Sequence, residues 1–233
     1  MLLVAIATLL IVSLKLIHAG KAAYYYVVKN GPTKDEYYVG RSDSNKKGIA
    51  GYWDGKGLSA LDLKEGQPIY LNSPEFKALM NGRHPLTLEQ LRQGKARVYT
   101  NPKTGREKVY EVVAGIDMVT SAPKWVSTFW AISGPEERKK IERAHALANT
   151  EALKLLQEEY AQTRTGKGGY RKEQLNLIIG QFTHITNRSG ESQLHTHNPI
   201  LSVGVRADGK YGALHTRKIL RKGVSLKLGQ YYR

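Results

Sequence analysis

The sequence has no cysteine among its 233 residues. That removes disulfide scaffolds, thiolate zinc sites and cysteine nucleophiles together, so any metal must be held by histidine and carboxylate. Acidic residues are scarce: 20 Asp plus Glu stand against 36 Lys plus Arg, a net charge of +16. This balance favours a polyanionic partner, nucleic acid or an anionic membrane surface, without choosing between them. Phe and Trp are also scarce, three of each against 14 Tyr. A phenol combines a stacking face with a polar tip, which suits a wet binding groove. A membrane-length apolar run is lacking, because fourteen uncharged residues precede Lys15, short of the roughly 18 that a spanning helix needs. The same stretch, MLLVAIATLLIVSLKLI, lacks the basic first segment of a secretory signal. Its second half reads as a strand entering a core, with residues 1–10 an uncertain hydrophobic extension. Membrane association through residues 1–17 is the lesser reading.

The length suits one domain, and neither repeats nor a long low-complexity linker divide it. KAAYYY is compatible with helix, and the breaker-rich NGPTKDE separates it from a second tyrosine pair. The glycine-rich GIAGYWDGKGLSALDLKEG reads as a surface loop leading into a short helix near Leu58 to Leu63. Residues 73–97 suggest two short helices parted by NGRHP, the first opening at Ser73, Pro74 and Glu75. RVYT and KVYEVVAGIDMVTS, around the turn NPKTG, read as a hairpin. The clearest helix runs from about Gly134 to Thr163, with Ile141, Ala144, Ala148, Ala152, Leu155 and Leu156 on one face. RTGKGGY reads as a loop, and LNLIIGQFTHIT and HNPILSVGV as two strands joined by NRSGES. Strands and helices without strict alternation argue for an α+β domain, an antiparallel β-sheet with helices packed mainly on one face.

Within FTHITNRSGESQLHTH lie three of the seven histidines, His184, His195 and His197. Side chains alternate along a strand, so His195 and His197 share a face, and His184 on a paired strand can lie opposite them. Three nitrogens on one face leave coordination positions open, as a working metal requires. An HxHxDH hydrolase would need aspartate at 199, where Pro199 stands, and a cupin-like site would need glutamate where Leu201 and Ser202 stand. SAPK at 121–124 with KTG at 103–105 imitates a serine acyltransferase, but in that family the SxxK serine precedes KTG.

Four stretches in this order, GKAAYYY with Tyr37 and Tyr38 after it, WDGKGLSALDLKEG, GIDMVTSAPKWVS and FTHITNRSGESQLHTH, resemble the amino-terminal nicking domain of MobF-type conjugative relaxases. The resemblance covers about residues 12–220. It implies an HUH-type relaxase palm over residues 11–233, short of the helices that clamp DNA beyond that point in the family. It further implies a bacterial, cytoplasmic enzyme that nicks one strand at an origin of transfer. Its partners would be plasmid DNA, as single-stranded DNA with an adjacent hairpin, and other conjugation (relaxosome and coupling) proteins. Tyr25 matches the leading nucleophile, with Tyr26 beside it and Tyr37 in the second pair. His184, His195 and His197 would hold a divalent ion (Mg, Mn or Zn). Asp117 in GIDM matches an acidic residue that either accepts the phenol's proton or orients a ligand histidine. Arg188 and Lys124 are candidate phosphate contacts. Two rival readings are a non-catalytic DNA-binding remnant and an unrelated His-ligated metallohydrolase.

Overall fold

A computed structural model of the chain describes residues 11–18, 49–70, 72–92, 97–110, 112–187 and 189–232. Among these, the main sheet has six strands, all antiparallel to their neighbours, in the order β1 (Ile11–His18), β6 (Val113–Ser121), β10 (Ser192–Leu201), β9 (Ile179–Thr186), β2 (Ile49–Asp54) and β3 (Pro68–Tyr70). A second, four-stranded sheet has the order β12 (Tyr211–Ala213), β11 (Val203–Arg206), β8 (Arg171–Asn176) and β7 (Gln162–Thr165). A separate hairpin pairs β4 (Arg97–Thr100) with β5 (Glu107–Tyr110). The helices are α1 (Pro74–Met80), α2 (Lys124–Ile132), α3 (Pro135–Glu159), α4 (Thr216–Ile219) and α5 (Val224–Tyr232). The α+β class with an antiparallel sheet is therefore what the chain adopts.

The two faces of the main sheet are built differently. On one face the alternate residues Ile116, Met118 and Ile200 pack against Ala152, Leu153 and Leu156 of α3 and Val224 and Leu228 of α5. Pro135 at the first helical position starts α3 with its φ already set. On the other face, Phe182 of β9, Trp53 of β2 and Phe76, Leu79 and Met80 of α1 form a second cluster. The Phe76 ring lies 5.7 Å from Trp53 and 5.3 Å, edge on, from Phe182. Such pairs contribute about 1 kcal/mol each beyond the apolar area they bury. The Ser73 hydroxyl caps α1 by accepting from the Phe76 N–H at 3.1 Å.

Several local expectations are corrected. The start of the supposed loop at 48–66 is strand β2, because Trp53 is buried and a Cβ on Gly51 would stand 2.3 Å from the Gln181 carbonyl oxygen and 2.7 Å from the Phe182 ring. Glycine here lets two strands approach rather than letting the chain bend. The short helix after it is a single 3-10 turn, Leu58–Leu61. The second helix expected before Gln93 does not form: Leu88 takes φ 59°, Arg83 bridges to Gln90, and the His84 Nδ1 accepts from the N–H groups of Leu86 and Thr87. The segment 107–121 divides into β5 and β6, and β6 enters the centre of the main sheet instead of remaining in the hairpin. RTGKGGY belongs in part to the ribbon of β7 and β8, whose polar residues carry no alternation. On α3, Ala144 is exposed and His145 occupies the buried position.

Candidate metal centre

His195 stands opposite His184 in the β9 and β10 ladder, and His197 lies two residues further along β10. Alternation turns all three to the face that carries Phe182, on the part of the sheet beyond the aromatic cluster. Their ligand atoms lie within 4.8 Å of one another, and the ring centroids are 5.2 to 5.3 Å apart. All three are half-buried.

The outer nitrogens fix how two of these rings present themselves. The His197 Nδ1–H donates to Asp117 Oδ2 at 2.8 Å, and the His195 Nδ1–H donates to the Gln193 carbonyl at 2.8 Å. A carboxylate and a carbonyl can only accept, so each neutral imidazole carries its proton on Nδ1 and its lone pair on Nε2, the atom able to serve an ion. Asp117 is buried, and among the described residues its Oδ1 has no hydrogen-bond partner. Three nitrogen donors with one fixed carboxylate behind them suit a divalent cation, and, with no carboxylate joining the cluster among the described residues, the ion's charge is left for an anionic ligand.

Ahead of His195 the ladder is irregular: Ser192 pairs with Thr186 but His195 with His184, so β10 has one residue more than β9 across this step. Such a bulge re-aims the side chains beside it. Helix α2, which sequence patterning did not reveal, grips the bulge. Its Ser127 Oγ accepts from the Leu194 N–H at 3.0 Å, and its Ser127 carbonyl accepts from the Ser192 hydroxyl at 2.7 Å. The Gln193 amide donates to the Ala122 carbonyl at 2.7 Å. Lys124, a candidate phosphate contact, is instead tied to this segment through Glu191 Oε2 at 2.9 Å and the Ser192 carbonyl at 3.2 Å. The Lys124 ammonium holds the Glu191 carboxyl below its ordinary range.

Behind the centre, on the opposite face, a buried polar network joins α3 to the strands. His145 Nε2 and the Thr183 hydroxyl meet the Thr196 hydroxyl at 2.8 and 2.9 Å. The Thr120 hydroxyl donates to Asn149 Oδ1 at 2.7 Å, and Asn198 Nδ2 donates to Asn149 Oδ1 at 2.9 Å and to the Met118 carbonyl at 2.9 Å. Thr196 lies between His195 and His197 on β10, so the network fixes the strand that carries them. Burial pushes the His145 imidazole down to about 4, with His195 adding repulsion. The available signal was polar residues 145 and 149 in helical register with Ala152 and Leu156.

Of the residues singled out from sequence, the structure brings together His184, His195, His197 and Asp117 and places Lys124 at the adjoining turn. Tyr25, Tyr26, Tyr37 and Arg188 lie outside the described residues, as does the segment 1–10. Among the described residues, no helix is long and apolar enough to cross a membrane.

A family model described as TrwC relaxase matches residues 19–233. The multifunctional conjugation protein TraI of Escherichia coli strain K12 is 30% identical over 209 residues, covering 88% of this chain and 10% of TraI. A second Escherichia coli TraI is 29% identical over 209 residues, covering 89% of the chain and 10% of that protein. The chain thus spans about a tenth of the length of these curated relatives. Among solved structures, the conjugative relaxase TrwC in complex with oriT DNA, copper-bound, superposes with a TM-score of 0.69 at 29% identity, covering 95% of this chain and 67% of TrwC. TrwC complexed with a 27-mer DNA comprising the recognition hairpin and the cleavage site gives a TM-score of 0.63 at 28% identity, covering 94% and 65%.

Proposed function

The chain belongs to the TrwC relaxase family, and from that premise we propose that it is a metal-dependent DNA strand transferase that nicks one strand at an origin of transfer. The observation that carries the proposal is the three-histidine cluster, with Asp117 bonded to His197, on one face of an antiparallel sheet. The related TrwC structures contain oriT DNA, and one is copper-bound. The basic balance of this chain fits the same class of partner.

Tyr25 is the proposed nucleophile, with Tyr26 beside it and Tyr37 available for a second cleavage. Its phenol oxygen attacks the phosphorus: the phenol proton passes to water, the tyrosyl O–P bond forms, the bond from phosphorus to the 3′ oxygen breaks, and that oxygen leaves as a hydroxyl by taking a proton from water. The product is a 5′-phosphotyrosyl adduct that conserves the ester and permits rejoining. A phenol with a pKa of about 10 is a weak nucleophile at neutral pH, so the phosphate must be made more electrophilic. A divalent ion held by His184, His195 and His197 would supply Lewis-acid polarisation of the phosphate's non-bridging oxygens. Asp117 is assigned to holding His197, whose Nδ1–H its Oδ2 accepts. Arg188 is proposed as a phosphate contact, whereas Lys124 is engaged with Glu191 and anchors the bulge. Imidazole donors favour zinc over manganese and magnesium. The protein would act in the bacterial cytoplasm, with plasmid DNA and other conjugation proteins as partners.

The test incubates the protein with single-stranded oligonucleotides tiling the DNA element that carries its gene, with and without divalent ions. The expected result is a covalent protein–DNA adduct that requires the ion and disappears in Tyr25→Phe and His195→Ala. Binding without an adduct under any ion would establish a DNA-binding remnant, and free cleaved product without an adduct a hydrolase.

A further inference from the structure

A cavity of about 280 Å³ opens where β7, β11 and β12 meet the segment that follows α1, bordered by Arg92, Arg164, Arg206, Thr163, Thr165 and Tyr211. The three guanidinium groups differ in what they meet. Arg206 is neutralised, with Nε 2.8 Å from Glu173 and Nη2 3.0 Å from Asp208. Arg164 donates only to neutral carbonyls, those of Gly169 at 2.9 Å and Gly168 at 3.0 Å, so its charge is uncompensated. Arg92 is half-buried, and among the described residues its enclosed Nε and Nη2 make no hydrogen bond.

Gly82 lies against the Arg92 side chain. Gly82 has φ 70°, and a Cβ there would stand 2.8 Å from Arg92 Cγ and 2.9 Å from its Nε. A guanidinium taken out of water without an acceptor destabilises the fold, and an anion placed beside it removes that cost. Because the charge is delocalised over the whole group, an anion in the cavity is attracted through the field of Arg92 and Arg164 together. The Tyr211 ring forms one wall while its hydroxyl donates to the Ala60 carbonyl at 2.9 Å, which keeps the ring in place. An arginine-rich cavity with an aromatic wall has the chemistry for a nucleotide phosphate.

We propose that the cavity between Arg92 and Arg164 holds a phosphate group of the bound DNA strand, distinct from the phosphate at the histidine centre. The separation follows from the sheets: His184 lies five residues along β9 from Ile179, roughly 17 Å at the rise of a strand, whereas the cavity is lined by strands of the second sheet. The proposal rests on the reading of the protein as DNA-binding.

Two arms test it, using the full chain and Arg92→Gln. In the first, the melting temperature is followed as inorganic phosphate replaces chloride at constant ionic strength. The wild type is expected to rise while Arg92→Gln, no less stable in phosphate-free buffer, stays level. In the second, binding of a mixed-sequence single-stranded oligonucleotide is measured against salt. Losing one phosphate contact should reduce the slope of log K on log salt by about 0.7. A slope unchanged in Arg92→Gln while the wild type binds DNA overturns the proposal, and if phosphate still protects only the wild type, the cavity serves a small phosphate compound instead. Wild-type protein that fails to bind DNA at all overturns the nicking function as well. A variant that melts lower in phosphate-free buffer, and responds to phosphate as the wild type does, makes Arg92 a packing residue and also overturns the proposal.

Discussion

Asp117 acts at one remove from whatever binds the histidines. Its Oδ2 accepts from His197 Nδ1 at 2.8 Å, and it is buried, so a change there reaches an ion only through the ring it holds. Asp117→Asn keeps the shape and removes the charge that makes the imidazole a better donor. Its affinity for Mn²⁺ or Zn²⁺ should fall by about tenfold in calorimetric titration, with an unaltered circular dichroism spectrum. Affinity equal to the wild type would separate Asp117 from the centre. At this scale the sequence was informative where chemistry and period coincide: His195 and His197, two apart on a strand, and His184 across from them were legible as a cluster. The Gln193 carbonyl and Thr196 were not, because a backbone acceptor and a hydroxyl on the far face carry no signature in composition or spacing.

Between elements, the junction of α3 with the sheet contains ionisable chemistry. His145 is buried, and its pKa is pushed down to about 4 by burial and by His195. In the unfolded chain it has its ordinary value of about 6.5. As pH falls through 6.5 toward 4 the unfolded chain takes up the proton first, so stability is lost across that window and this contribution levels off below it. Between pH 7 and pH 5 the metal-free wild type should lose roughly 2 kcal/mol more than His145→Gln in urea denaturation. Equal losses would show that His145 does not resist protonation. Helix α3 was legible because its apolar face keeps a 3.6-residue period over many turns. Helix α2 was not: KWVSTFWAI is aromatic and β-branched, a composition that reads as strand, and it becomes helical because Ser127 and Arg138 tie it down. Arg138 donates to the carbonyls of Trp130 and Ala131 at 3.1 and 2.6 Å, satisfying the end of the helix. Strand β2 was hidden by Gly51, where close packing rather than a turn requires glycine.

At the scale of the molecule, the three histidines sit on two adjacent strands that also pack into the core, so binding at the centre is coupled to folding. An ion that binds only the folded chain at 100 times its dissociation constant adds about 2.7 kcal/mol. For a chain of this length that corresponds to a rise in melting temperature of roughly 5 to 10 °C. The expected order of effect is Mg²⁺ below Mn²⁺ below Zn²⁺. Scanning calorimetry of His195→Ala should show no ion-dependent rise, and a rise equal to the wild type would place the ion elsewhere. The antiparallel α+β class was legible because alternating strands and breaker-rich turns constrain it. The division into two sheets was not, since it depends on the interruptions at Leu177 to Ile178 and at Ser202, which break apolar runs without a proline or glycine to mark them.

Strand β10 keeps two separate ledgers along one backbone. Its odd positions, His195 and His197, face the ligand side, while Leu194, Thr196, Asn198 and Ile200 belong to the packed interior. A lineage released from cutting DNA could therefore exchange His195 and His197 and still fold, but it would have to retain Leu194, Thr196 and Asn198 between and beside them, and the buried run from Asn198 to Leu201. Inactive descendants of such a protein should be recognisable by a comb-like decay confined to residues 194–198, alternate letters lost, rather than by erosion of the whole strand.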